Sequence, residues 1–107
     1  MAELYAEVEA SRLMSYWVAS MHARGLQPQH EAGLAFLVKR ETVREIDNLA
    51  VDILGPAAQL RRGDTLAPAD GGFEHDYLDR LFFHFAAGGL DISRNVIASR
   101  GLGLPRG

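Results

Sequence analysis

The sequence predicts an all-α chain of about four helices, and three observations carry that prediction. Long stretches place apolar residues at three- and four-residue steps, the period of a helix with one side turned to a core. Gly and Pro gather at a few junctions and leave the stretches between them largely unbroken. No run alternates apolar and polar residues over a length useful for a strand.

The first segment, residues 2–23, holds no Gly or Pro and is rich in Ala, Leu, Met and Glu, which favour helix. Leu4, Val8, Met14, Trp17, Val18 and Met21 set its stripe, and Tyr5, Leu13 and Tyr16 widen it beyond one face. That breadth predicts a helix packed on two sides. Gly25 is placed to stop it, and Pro28 follows as a breaker.

The second segment, residues 29–54, carries Leu34, Leu37, Val38, Ile46, Leu49, Ala50 and Ile53 as its stripe. Lys39, Arg40, Glu41, Arg44, Glu45, Asp47 and Asn48 fall elsewhere and read as a solvated face. Gly55-Pro56 ends the helix. Residues 59–74 turn to Arg, Gly, Asp, Pro and Thr, a loop long enough to expect function, a partner or motion.

A third helix is expected over residues 75–86, apolar at Tyr77, Leu78, Leu81, Phe82, Phe83 and Phe85. Gly88-Gly89 separates it from a fourth over residues 91–100, with Asp91 a candidate N-cap.

Size and composition bound the function. The 107 residues make one small domain, 1–107, with a limited core. A net charge of −3 without a like-charge block argues against a nucleic-acid partner. With no cysteine, disulfides, thiolate metal sites and thiol nucleophiles are excluded. The acidic start lacks a basic region followed by an apolar core, so no signal peptide is expected, and no apolar run reaches bilayer length. Cytoplasmic localisation is the resulting expectation.

His22, His30, His75 and His84 show no two-His helical spacing, so no metal site is expected. Glu74-His75-Asp76 reads as well as helix capping as it does as a cation ligand set. No Gly-x-Ser-x-Gly turn supports a Ser-His-Asp arrangement.

Two glycine junctions remain. Asp52-Ile53-Leu54-Gly55-Pro56-Ala57-Ala58 is either a plain helix end or a close approach of backbone to a bulky ligand. Ala86-Ala87-Gly88-Gly89-Leu90-Asp91 is either a helix-helix turn or four small positions that clear space for a flat ring beside free backbone N–H groups. The residues alone leave both open.

The order of motifs is similar to that of a family. Glu3 to Arg12, reading Glu-Leu-Tyr-Ala-Glu-Val-Glu-Ala-Ser-Arg, resembles the Ala-Glu-Met-Tyr-Thr-Glu-Val-Glu-Ala-Ala-Arg stretch of the acyl-CoA dehydrogenase C-terminal helical domain. Lys39-Arg40-Glu41-Thr42 through Asp52-Ile53-Leu54-Gly55 resembles its next helix, which closes in Gln-Ile-Leu-Gly-Gly. Arg94-Asn95-Val96-Ile97-Ala98 and Gly101-Leu102-Gly103-Leu104-Pro105-Arg106 resemble its last helix and tail.

The resemblance implies an antiparallel helical bundle that takes part in subunit assembly, as a homo-oligomer or with related subunits. It implies an enzyme that binds FAD and dehydrogenates an acyl-CoA thioester. It sets Asp52 on the family's flavin-contacting Gln and Gly55-Pro56 on its Gly-Gly. A carboxylate there would repel a pyrophosphate. Gly89, Leu90 and Asp91 fall on Thr-Ser-Glu, and with Gly88 they form the second flavin-facing corner. Ala87 stands where the family often carries its Glu base, so no catalytic residue is expected. The flavin- and acyl-binding domains of the family have no counterpart here, which implies a chain inactive alone. Two other readings stay open: a non-catalytic assembly domain derived from the family, and an unrelated four-helix bundle using its histidines for metal or haem.

Overall fold

A computed structural model describes residues 1–85 and 89–105, with the side chains of all but 83–85. Expectations for Ala86, Ala87, Gly88, Arg106 and the side chains of Phe83, His84 and Phe85 lie outside the described residues. Those described form four α-helices and no strand: α1 (Ala2–Ala23), α2 (His30–Leu54), α3 (Gly72–Phe85) and α4 (Leu90–Val96). Two 3-10 turns, Gly55–Gln59 and Pro68–Gly71, precede α3, and a π turn, Ile97–Gly101, follows α4.

The chain divides into two compact units, residues 1–42 with 88–107 and residues 43–87, and α2 runs through both. In the first unit, α1 ends as the glycine predicts. Gly25 takes a left-handed φ of 75°. Its N–H donates to the carbonyl of His22 at 2.9 Å, and that of Leu26 to Met21 at 3.0 Å, the paired bonds of a Schellman stop. Pro28 is buried just beyond. The start of α2 lies against α4: a Cβ on Gly33 would stand 3.8 to 4.0 Å from Ile97, Ser93 and Val96.

One side of α1 is covered rather than two. Leu4, Ser11, Met14, Val18 and Met21 are half-buried, while Tyr5, Leu13 and Tyr16 stay 69%, 59% and 60% exposed. The solvated face read into α2 holds at Lys39, Arg44, Glu45 and Asn48, which are exposed, and is corrected at two positions. Arg40 and Asp47 are buried, as is Thr42, whose hydroxyl donates to the Val38 carbonyl at 2.9 Å. The Arg40 guanidinium lies over the Phe36 ring, 4.2 Å from its centroid.

In the second unit, the stretch 59–74 is more ordered than its composition suggests. The Asp64 carboxylate accepts the Leu66 N–H at 2.9 Å and the Asp64 carbonyl accepts that of Ala67 at 3.1 Å. Ala69, Asp70 and Gly71 follow with φ of 50°, 53° and 73°. Gly71 is buried, and a Cβ there would stand 2.2 Å from the Arg62 amide nitrogen, so only glycine fits. With the chain turned by Gly71, α3 begins at Gly72 rather than near His75, and Glu74 sits in its first turn.

Among the described residues, Pro28 and Ala58 are the buried apolar side chains. No helix among the described residues is long and apolar enough to cross a membrane.

Candidate functional site

The two glycine corners fall in different units. The first closes α2. Its last turn leaves Asp52 and Ile53 exposed, and Leu54 leads into Gly55 with a left-handed φ of 57°. A Cβ on Gly55 would meet nothing within 4 Å, so the turn, not crowding, is what asks for glycine. Pro56 opens the 3-10 turn, where its missing N–H costs nothing, and is exposed. Behind it Ala58 is buried, and the turn packs on α3 and on the second 3-10 turn.

This corner is anchored from below. Arg80 of α3 donates to the buried Asp47 of α2 and, at 3.2 Å, to Asp76 one turn back on its own helix. Arg61 stands 3.4 Å from Glu74. Sequence reasoning missed the Arg80–Asp47 pair, since both residues look like ordinary surface charges.

The second corner opens α4. Gly89 is its N-cap, and its carbonyl accepts from Ile92 at 3.0 Å and Ser93 at 3.4 Å. Asp91 is therefore not the cap: the helix begins one residue earlier, which puts Asp91 in the first turn. Its side chain is 95% exposed and leans toward Arg94 at 3.4 Å. Arg94 also donates to Glu41 of α2 at 2.9 Å. A Cβ on Gly89 would meet nothing within 4 Å, so this corner too is open.

Beyond α4 the helix does not run on to Arg100 in α form. Leu102 N–H donates to the Ile97 carbonyl at 3.1 Å, five residues back, and Leu104 N–H to Ala98 at 3.0 Å, folding the tail against the helix. A Cβ on Gly101 would stand 3.1 Å from the His30 ring, and Arg100 reaches Gln29 at 2.8 Å. An open cleft of about 510 Å³ lies between tail and helix, lined by Ile92, Asn95, Val96, Ser99, Arg100 and Pro105 among others.

The remaining sequence candidates do not assemble. Among the described residues no three His, Asp or Glu side chains come together as a metal would require. Instead, His30 and His75 each stand near the carboxylate that follows them in sequence, at 3.3 Å from Glu31 and 3.6 Å from Asp76.

With this geometry in view, residues 1–102 match the acyl-CoA dehydrogenase C-terminal domain. The chain belongs to the acyl-CoA dehydrogenase family. An acyl-CoA dehydrogenase of Mycobacterium tuberculosis, FadE26, is 29% identical to it over 110 residues, covering 99% of this chain and 27% of that protein. Two solved structures are similar over 99% of the chain. The Tcur3481-Tcur3483 steroid ACAD has a TM-score of 0.90 at 26% identity. The ChsE4-ChsE5 complex from Mycobacterium tuberculosis has a TM-score of 0.86 at 28% identity. The chain spans 28% and 27% of those two chains, little more than a quarter of each relative's length. The resemblance seen in the motifs is thus a family relationship, and the all-α fold is the family's C-terminal fold.

Proposed function

We propose that this chain is the C-terminal helical part of an FAD-dependent acyl-CoA dehydrogenase, that it contributes flavin contact and subunit assembly, and that it is inactive alone. The observation that carries the proposal is the family match over residues 1–102, joined to a fold in which, among the described residues, Pro28 and Ala58 are the buried apolar side chains. A chain with so little interior of its own is shaped to be covered by more protein.

Its residues fit a flavin by shape at each corner taken singly. Gly55 and Gly89 leave open space where a side chain would stand, and Pro56 adds a flat apolar edge. Gly88 lies outside the described residues. Charge restricts what each corner can hold. Asp52 and Asp91 are exposed carboxylates, and Arg94, the cation beside Asp91, also holds Glu41. These corners suit the uncharged ring or the sugar-like chain of the cofactor rather than its phosphates. When bound, FAD supplies the acceptor for the hydride that leaves the β carbon of the acyl-CoA thioester. The α-proton needs a base, and Ala87 cannot take it, so a carboxylate from outside these residues must.

The test is to express the chain joined to the upstream domains that the family carries. Flavin absorbance and acyl-CoA-dependent dye reduction are expected from the joined protein and not from the chain alone. A colourless, inactive joined protein rejects the enzyme reading. It would favour the second reading, a non-catalytic assembly domain, for which Ala87, Asp52 and Gly89 speak because each departs from the family pattern.

A further inference from the structure

We propose that Arg80 is a positioning residue for the cofactor: its guanidinium fixes the end of α2 on α3, and with it the place of the Gly55 corner against the flavin. The inference rests on the reading above that this corner touches FAD, and it names the side chain that holds the corner there.

The corner has little of its own to hold it. In its unit, residues 43–87, Ala58 is the one buried apolar side chain among the described residues. The turn Gly55–Gln59 packs on α3 and on the second 3-10 turn, so the corner sits where α3 sits. The seam between α2 and α3 is not filled by apolar side chains. A cavity of about 50 Å³ lies in it, lined by Val51, Phe73 and Tyr77 together with Asp47, Asp76 and Arg80. Side chains beside a void forfeit contacts on that side, so directional bonds must set the spacing of the two helices.

Arg80 supplies those bonds. Its Nη1 donates to Asp47 on α2, about two turns of helix before Gly55. Its Nη2 donates to Asp76 on α3 at 3.2 Å. One planar group thus takes a carboxylate from each helix, and the α2 carboxylate is buried. The fork has a fixed shape, so the two bonds together define orientation as well as distance. A lysine answers one carboxylate as a point charge and cannot hold both in one plane.

The test uses the chain joined to the upstream domains that the family carries, titrated with FAD. Arg80→Lys keeps the cation and loses the fork. Asp76→Asn keeps the bond from Arg80 to Asp47 and weakens the other arm. Flavin affinity should fall roughly tenfold in the first and by a few-fold in the second, and the absorbance band of the bound flavin should change shape. With FAD at saturation, KM for the acyl-CoA should stay at the parent value in both. A merely structural role would lower the melting temperature and leave flavin affinity and band shape as in the parent, and that result overturns the proposal. If Arg80→Lys does not fold, Asp76→Asn decides alone: a few-fold loss of flavin upholds the proposal, and parent affinity overturns it. The reading underneath fails in a different way. A parent protein that binds no flavin, or an Asp52→Gln variant that retains flavin as the parent does, takes the cofactor away from this corner and both claims with it. Altered retention in Asp52→Gln beside parent affinity in Arg80→Lys overturns the role of Arg80 alone.

Discussion

Arg80 on α3 donates to the carboxylate of Asp47, a buried acid 33 positions earlier on α2. That bond ties the final turns of α2 to the helix that follows the loop, and so supports the Gly55 corner from behind.

Removing the cation should cost more than removing the charge it answers. Arg80→Ala leaves the Asp47 carboxylate buried without that partner. Because the Arg80 side chain is itself partly exposed, the expected loss is about 2 kcal/mol rather than the larger figure for a fully enclosed pair. Asp47→Asn keeps a hydrogen-bonding group and should lose about half of that. Urea denaturation of the two variants beside the parent measures both, and equal stability of Arg80→Ala and parent would show that the pair holds nothing.

Two glycines with the same sign of φ should respond very differently to alanine. Gly25→Ala meets open space and bears only the left-handed backbone, about 1 kcal/mol. Gly71→Ala adds a Cβ onto the Arg62 backbone, which has no flexible side-chain end to move aside, so about 3 kcal/mol or more is expected. Thermal melts should separate them clearly. Similar melting temperatures would mean that the 60–71 loop rearranges freely.

A third glycine should respond with the opposite sign. Gly33 sits inside α2, where an added Cβ would stand 3.8 to 4.0 Å from its nearest neighbours, ordinary contact for a methyl group. Gly33→Ala should therefore stabilise by about 0.5–1 kcal/mol through helix propensity, whereas Gly33→Leu should destabilise by driving into Ser93, Val96 and Ile97. Chemical denaturation of the pair decides it, and a destabilising alanine would mean that α2 and α4 lie closer than this.

The exposed Asp52 carboxylate should weaken flavin retention in the complete enzyme. Asp52→Gln removes a negative charge from the Gly55 corner, so cofactor loss on dialysis should slow by a few-fold. Flavin absorbance per protein after dialysis is the measurement, and an unchanged ratio would place the cofactor away from that corner.

How far the sequence could be read depended on what each residue had to do. The bounds of α1 and α2 were legible because Gly25 and Gly55-Pro56 stop helices by local chemistry that needs no tertiary partner. The start of α3 was not, because Gly71 acts through the distant Arg62 backbone, and composition alone shows a loop. Arg40 and Asp47 look like surface charges in one dimension; their burial appears only once the helix has neighbours. Residue type points to Asp91 as the cap, yet Gly89 holds that place through its carbonyl alone. The corner residues themselves were legible only through the family resemblance, since an exposed glycine turn looks the same with or without a ligand.

The π turn at Ile97–Gly101 has a consequence for the protein's history and its engineering. Such a turn is an α-helix carrying one surplus residue, and each residue of an α-helix advances the chain by about 100° of rotation and about 1.5 Å of rise. Excising a single position there would let the helix run regularly while swinging Leu102 and Leu104 to another side of it. A deletion at this point would thus behave as a dial, re-aiming the end of the polypeptide without touching a residue that the end itself contains.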